Sequence, residues 1–203
     1  DPLHSAWPIY ADRVQLNRTV IELEVPALDL AYEDTRNLVY GKSTAHGTGV
    51  RVAVADTGVG PHGTIAVAGG RNTSEVEPNS RLTDWDGHGT HVAGVIASRA
   101  DGSRRGGASE VDLFVYRIFS KDSLFASNFA IRNAIVEAAQ AGCCLVNLSI
   151  GGGPWDLLIE RAVQTAWSLG CVCVAAAGND GAKLVDVPAR YPNVLGVSAV
   201  GLE

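Results

Sequence analysis

VAVADTGVG, Val52 to Gly60, and DGHGTHVAGVIAS, Asp86 to Ser98, are the two stretches that decide how this chain reads. The first begins as an apolar, β-branched run and ends on a carboxylate, Asp56, as a buried strand of a parallel sheet does. The second places His88 at the mouth of an apolar segment with helical spacing. A buried acid beside a helix-mounted imidazole supplies two of the three groups that activate a hydroxyl nucleophile. The third would be a serine, and no serine of the 203 residues stands in a matching context.

Outward from these stretches the chain alternates between two periods. Strands are predicted at 50–56, at VDLFVYRIF (Val111–Phe119), at CCLVNLSI, at CVCVAAAG and at VLGVSAV (Val194–Val200). Helices are predicted over 88–99, 126–141 and 154–169, with Gly142 and Gly170 as C-terminal caps. A Gly-rich, β-branched stretch runs to about Ser80, and Arg99–Glu110 is a polar loop. This alternation predicts an α/β fold, a three-layer sandwich with a mostly parallel sheet between helices. Ligands of such sheets collect beyond the carboxyl ends of the strands. Right-handed crossovers would put His88 on the same rim as Asp56. Asn179, ending the CVCVAAAG strand, belongs to that rim too, where an amide can donate to a developing oxyanion. Before Val50, RTVIELEV (Arg18–Val25) reads as a strand closed by Pro26. Ala27–Tyr40 reads as a helical turn or two, and GKSTAHGTG (Gly41–Gly49) as loop.

Bulk properties exclude several classes. The chain is 46% apolar and 19% charged, ordinary for a folded domain. A net charge of −6 without basic clusters argues against nucleic acid and anionic membrane as partners. No apolar run approaches the ~20 residues of a membrane helix. Cys143, Cys144, Cys171 and Cys173 all fall in apolar strand-like runs, so core packing is expected rather than zinc or disulfides. Unpaired buried thiols lean toward an intracellular home, with the compartment itself left open. The chain starts at Asp1 and has no methionine, so processing or a fragment boundary is expected to explain its start.

The residues from about Thr48 to Val200 resemble the subtilisin-like serine proteases, the subtilases. VADTGV matches the family's Asp signature, GHGTHVAG its His signature, and AAAGND its oxyanion asparagine. His88 follows Asp56 by 32 positions and Asn179 follows His88 by 91, intervals similar to the family's. By this resemblance Asp56 orients the imidazole, His88 is the general base and Asn179 the oxyanion donor. NLSIGGG (Asn147–Gly153) resembles the strand lining the first specificity pocket. The resemblance thus implies substrate contacts from Ser149, Ile150 and Gly151, and from Ala176, Ala177 and Gly178. With no charge in either segment, that pocket is expected to take apolar or bulky side chains. The implied activity is endopeptidase hydrolysis of polypeptides without a cofactor. Residues 1–47 are then an N-terminal extension or propeptide-linker remnant, and 48–203 the catalytic domain. The family's serine opens a helix in a Gly-Thr-Ser-type motif beyond YPNVLGVSAV. The domain is expected to stop short of that helix, with the serine on a separate or further segment and an apolar face exposed where the helix packs. The rival reading is a catalytically dead module of the same fold that binds peptides or partners.

Other readings are weaker. His91, three positions after His88 and near Asp84 and Asp86, could suggest a metal site, but a packed, hydrogen-bonded histidine is expected. Gly58, Gly60 and Gly63 have dinucleotide-fingerprint spacing, yet GTIAVAGGRN behind them does not open a helix. DTG occurs once, whereas aspartic proteases pair two such carboxylates. Too few carboxylates cluster in Arg99–Glu110 to claim calcium.

Overall fold

The structure, a computed structural model, describes residues 6–8, 45–74, 78, 81–99, 105–121, 123, 125–179 and 184–199. Its elements are β1 (Ala6–Pro8), β2 (Arg51–Asp56), β3 (Val67–Asn72), α1 (His88–Ala97), β4 (Asp112–Arg117), β5 (Phe125–Ser127), α2 (Asn128–Gln140), β6 (Leu145–Leu148), α3 (Leu157–Ser168), β7 (Val172–Ala176) and β8 (Val194–Val197). Six of these strands form one parallel sheet in the order β3-β4-β2-β6-β7-β8. Strands β1 and β5 pair antiparallel in a separate two-stranded sheet. The strand and helical turns predicted within 18–40 lie outside the described residues.

Side-chain alternation along β2 divides the core into two layers. Val52 and Val54 pack with Leu113, Val115 and the α1 residues Ala93 and Ala97. Ala53 and Ala55 face the other way, into a larger cluster with α2 and α3 residues such as Ile131, Ile135, Ile159 and Val163. Helices therefore cover both faces, which is the predicted three-layer sandwich. The alanines on the second face let α2 sit close over the sheet centre.

The handedness expectation fails for one crossover. The connections β3–α1–β4, β4–α2–β6 and β6–α3–β7 all step across the sheet in the same direction. Yet α1 lies on one face and α2 and α3 on the other. The α1 crossover is therefore of opposite hand to the other two, so they cannot all be right-handed. His88 still reaches the expected rim, because a helix joining parallel strands starts at their carboxyl ends whichever face it covers.

Local signals explain the later helices. Ser127 caps α2 by accepting from Ala130 N–H at 3.0 Å, and Asp156 caps α3 by accepting from Leu158 and Ile159 N–H. Gly142 and Gly170, at φ 77° and 79°, end these helices. In each case the next residue's N–H reaches back to the final turn: Cys143 to Ala138 O and Cys171 to Ala166 O. One stretch carries no element assignment from sequence, and one expectation needs correcting. The Gly-rich stretch contains a strand, β3, whose register shifts between Val67 and Gly69. Of the cysteines, Cys144 is exposed and precedes β6, while the other three are buried. Burial pushes the thiols of Cys143, Cys171 and Cys173 up to about 11, 12 and 12, as inert packing groups. Among the described strands β8 is the outer neighbour of β7, and its Leu195 and Val197 are 58% and 51% exposed. An apolar face is thus open there.

Candidate active site

Asp56 ends β2 at the sheet centre and is fully buried. Its backbone carbonyl accepts from Ile118 N–H at 2.9 Å, so the strand is held to its last residue. The carboxylate oxygen Oδ1 accepts Thr57 N–H at 2.7 Å and lies 2.7 Å from His88 Nδ1. An ionised carboxylate only accepts, so this contact assigns the ring proton to Nδ1 and leaves the lone pair on Nε2. The His88 side chain keeps 21% exposure against none for Asp56, so only the imidazole can meet a substrate. Burial by itself would lower the His88 pKa. The Asp56 charge and hydrogen bond, helped by Asp86 and Asp84, overturn that and hold it above its ordinary value.

A second carboxylate fixes these two in place. Asp84 Oδ1 accepts from Thr57 Oγ1, Asp86 N–H and Gly87 N–H at 2.9, 3.0 and 2.9 Å. Asp84 Oδ2 accepts from the N–H and hydroxyl of Thr90. Those hydrogen bonds keep its pKa low in spite of burial, the largest single influence, which acts to raise it. Thr57 Oγ1 in turn accepts Gly89 N–H at 2.8 Å, and Thr90 Oγ1 accepts Gly60 N–H at 2.9 Å. Asp84 thus ties the residue after Asp56 to the turn that carries His88, and it serves α1, whose N-cap Gly87 makes no side-chain cap. A side chain at Gly89 would drive into the Gly58 carbonyl, so the helix start seats directly on the end of β2. In sequence, Asp84 stands out only beside a metal reading; the signal that finds it is a carboxylate three residues before a glycine N-cap. His91, expected to be packed, is on the exposed side of α1.

The other rim residues follow β6 and β7. Ser149 Oγ accepts from Asn147 Nδ2 at 2.9 Å, Ile150 and Gly151 are buried, and Asn179 is exposed three residues beyond β7. The structure joins Asp56 to His88 directly and sets Asn179 on the same rim, two strands from β2. Ala177 is engaged at both backbone groups: its N–H donates to Val197 O and its carbonyl accepts Asp186 N–H. Its N–H is therefore committed within the sheet and does not donate to a peptide. Asp186 brings a carboxylate against both glycine-rich segments: Oδ2 lies 2.9 Å from where a Gly151 Cβ would be and 2.6 Å from that of Gly178.

Geometry of this kind can move a proton from a hydroxyl to a rim imidazole. The model of the subtilase family matches residues 47–202. Over 154 residues the chain is 39% identical to alkaline elastase YaB of Bacillus sp. (strain YaB), covering 75% of this chain and 40% of that protein. It is 37% identical to subtilisin BL of Lederbergia lenta, covering 75% and 56%. Among solved structures, the S41 psychrophilic protease superposes with a TM-score of 0.70 at 28% identity, covering 80% of this chain and 58% of that one. Sphericase gives 0.70 at 29%, covering 79% and 58%. The chain spans about half the length of the curated relatives it matches.

Proposed function

We propose, from the premise that this chain belongs to the subtilase family, that it is part of a serine endopeptidase that cuts polypeptides. The observation that carries this reading is the 2.7 Å contact between Asp56 Oδ1 and His88 Nδ1. With Nδ1–H committed to Asp56, Nε2 accepts the proton of a serine hydroxyl as its oxygen bonds to the scissile carbonyl carbon. The Asn179 amide donates to the oxyanion so formed. The C–N bond then breaks, the leaving amine takes the proton back from Nε2, and water releases the acyl group by the reverse path. The serine belongs to sequence beyond Glu203. The open face of Leu195 and Val197 on β8 suits the packing of such a segment.

A serine-directed fluorophosphonate tests this. The longer protein should label rapidly and stoichiometrically, and the 203-residue chain should not. Rapid labelling of the 203-residue chain itself would put the nucleophile inside it. No labelling of the longer protein would favour the dead peptide-binding module. In the active protein, Asn179→Ala should keep KM and lower kcat by about 10²–10³-fold, since the oxyanion exists mainly in the transition state. A raised KM with kcat intact would make Asn179 a ground-state contact.

A further inference from the structure

Contacts between the end of β2 and the start of α1 run in step. Asp56 Oδ1 meets His88 Nδ1 at 2.7 Å, and one residue further along both segments Thr57 Oγ1 accepts Gly89 N–H at 2.8 Å. A third link runs the other way: Thr90 Oγ1, on α1, accepts the N–H of Gly60, beyond β2, at 2.9 Å. A hydroxyl holds an N–H on its lone pair in a fixed direction only when its own proton is aimed elsewhere. Asp84 aims both of these protons, with Thr57 donating to Oδ1 at 2.9 Å and Thr90 to Oδ2 at 2.5 Å. Burial works to raise the Asp84 pKa, but hydrogen bonds from Gly87, Thr90 and Asp86 bring it below its ordinary value. Both carboxylate oxygens therefore serve as acceptors. Thr57 and Gly89 are buried, which keeps solvent from replacing the bond between them.

We infer that Asp84, with the Thr57 and Thr90 hydroxyls it orients, is the positioning unit that sets the His88 imidazole for proton transfer. This rests on the endopeptidase reading and adds to it. Asp84 does for the two hydroxyls what Asp56 does for the imidazole: it takes the proton on one side and turns the lone pair to the other. A single contact between Asp56 and His88 would leave the start of α1 free to pivot about it. The Thr57–Gly89 and Thr90–Gly60 bonds remove that pivot. The helix needs them, because its N-cap Gly87, at φ 105°, has no side chain to hold the first turn. Since the unit acts through His88, its loss should fall on turnover and not on substrate affinity.

The test uses the full-length protein, with kcat expressed per site labelled by a fluorophosphonate so that only folded, intact centres are counted. Thr57→Val and Asp84→Asn should each lower kcat by about 10–10²-fold with KM unchanged, the cost of a displaced catalytic group. Thr57→Ser, which keeps the hydroxyl, should restore most of the turnover. The double variant should lose no more than the worse single one, because the two side chains work as one unit. A lower melting temperature with kcat per labelled site intact would make Asp84 and Thr57 merely structural and overturn the inference. So would a raised KM at constant kcat, or losses that add in full. Should Asp84→Asn not fold, Thr57→Val, which keeps the side-chain shape, decides together with Thr57→Ser. Each of these outcomes leaves the endopeptidase standing, whereas a wild type that neither labels nor cleaves overturns the endopeptidase, and this inference with it.

Discussion

His88→Ala in the active full-length protein should cut kcat by about 10⁶-fold, the size of the corresponding loss in subtilisin, with little change in KM. Without the imidazole a serine hydroxyl has no proton acceptor within reach, and Asp56, fully buried, cannot substitute for it. Fold should survive, because the turn bearing His88 is tied by Asp84 through Thr57, Gly87 and Thr90 and not by the ring itself. Steady-state kinetics with circular dichroism as control would check this. Retention of a tenth or more of wild-type turnover would remove His88 from the chemistry.

Asp56→Asn should cost about 10⁴-fold in turnover, since an amide no longer fixes the ring proton on Nδ1. Its second effect is electrostatic. In the wild type Asp56, together with Asp86 and Asp84, overturns the effect of burial and holds His88 above its ordinary value of 6.5. With that charge gone burial counts for more, and the imidazole should titrate lower than in the wild type, readable by NMR on the ring protons. Wild-type activity, needing the neutral base, should fall as pH drops through the raised pKa. Stability runs the other way: the folded state favours the imidazolium, so its contribution is full below 6.5 and fades as pH rises through the folded pKa. An unchanged His88 titration in Asp56→Asn would mean that the 2.7 Å contact does not govern the ring.

Much of this is legible in the sequence because it is local. The run Val52–Asp56, the alternating faces of α2 and the glycines at 142 and 170 each carry their signal within one or two turns. Asp56 and His88 can be paired in advance because parallel strands and their helices share one rim. The features that escape depend on chain returns. Strand β3 hides in a glycine-rich run whose pairing to β4 slips at Gly69. The face taken by α1 is set by how the core clusters divide, which no window of sequence contains. The charge beside Gly151 and Gly178 comes from Asp186, which neither glycine-rich segment includes. In sequence its segment reads only as the approach to the next strand.

Strand β2 takes its neighbours from far along the chain: Arg51 pairs with Asp112 and Val52 with Leu145. On a ribosome adding about 5–20 residues per second, the strand bearing Asp56 waits seconds for either one. During that interval its apolar run has uncovered edges on both sides, open to pairing with other nascent chains. Loop closure over such separations also makes the sheet slow to assemble in refolding from denaturant. The strand that carries the acid is translated early and enclosed late.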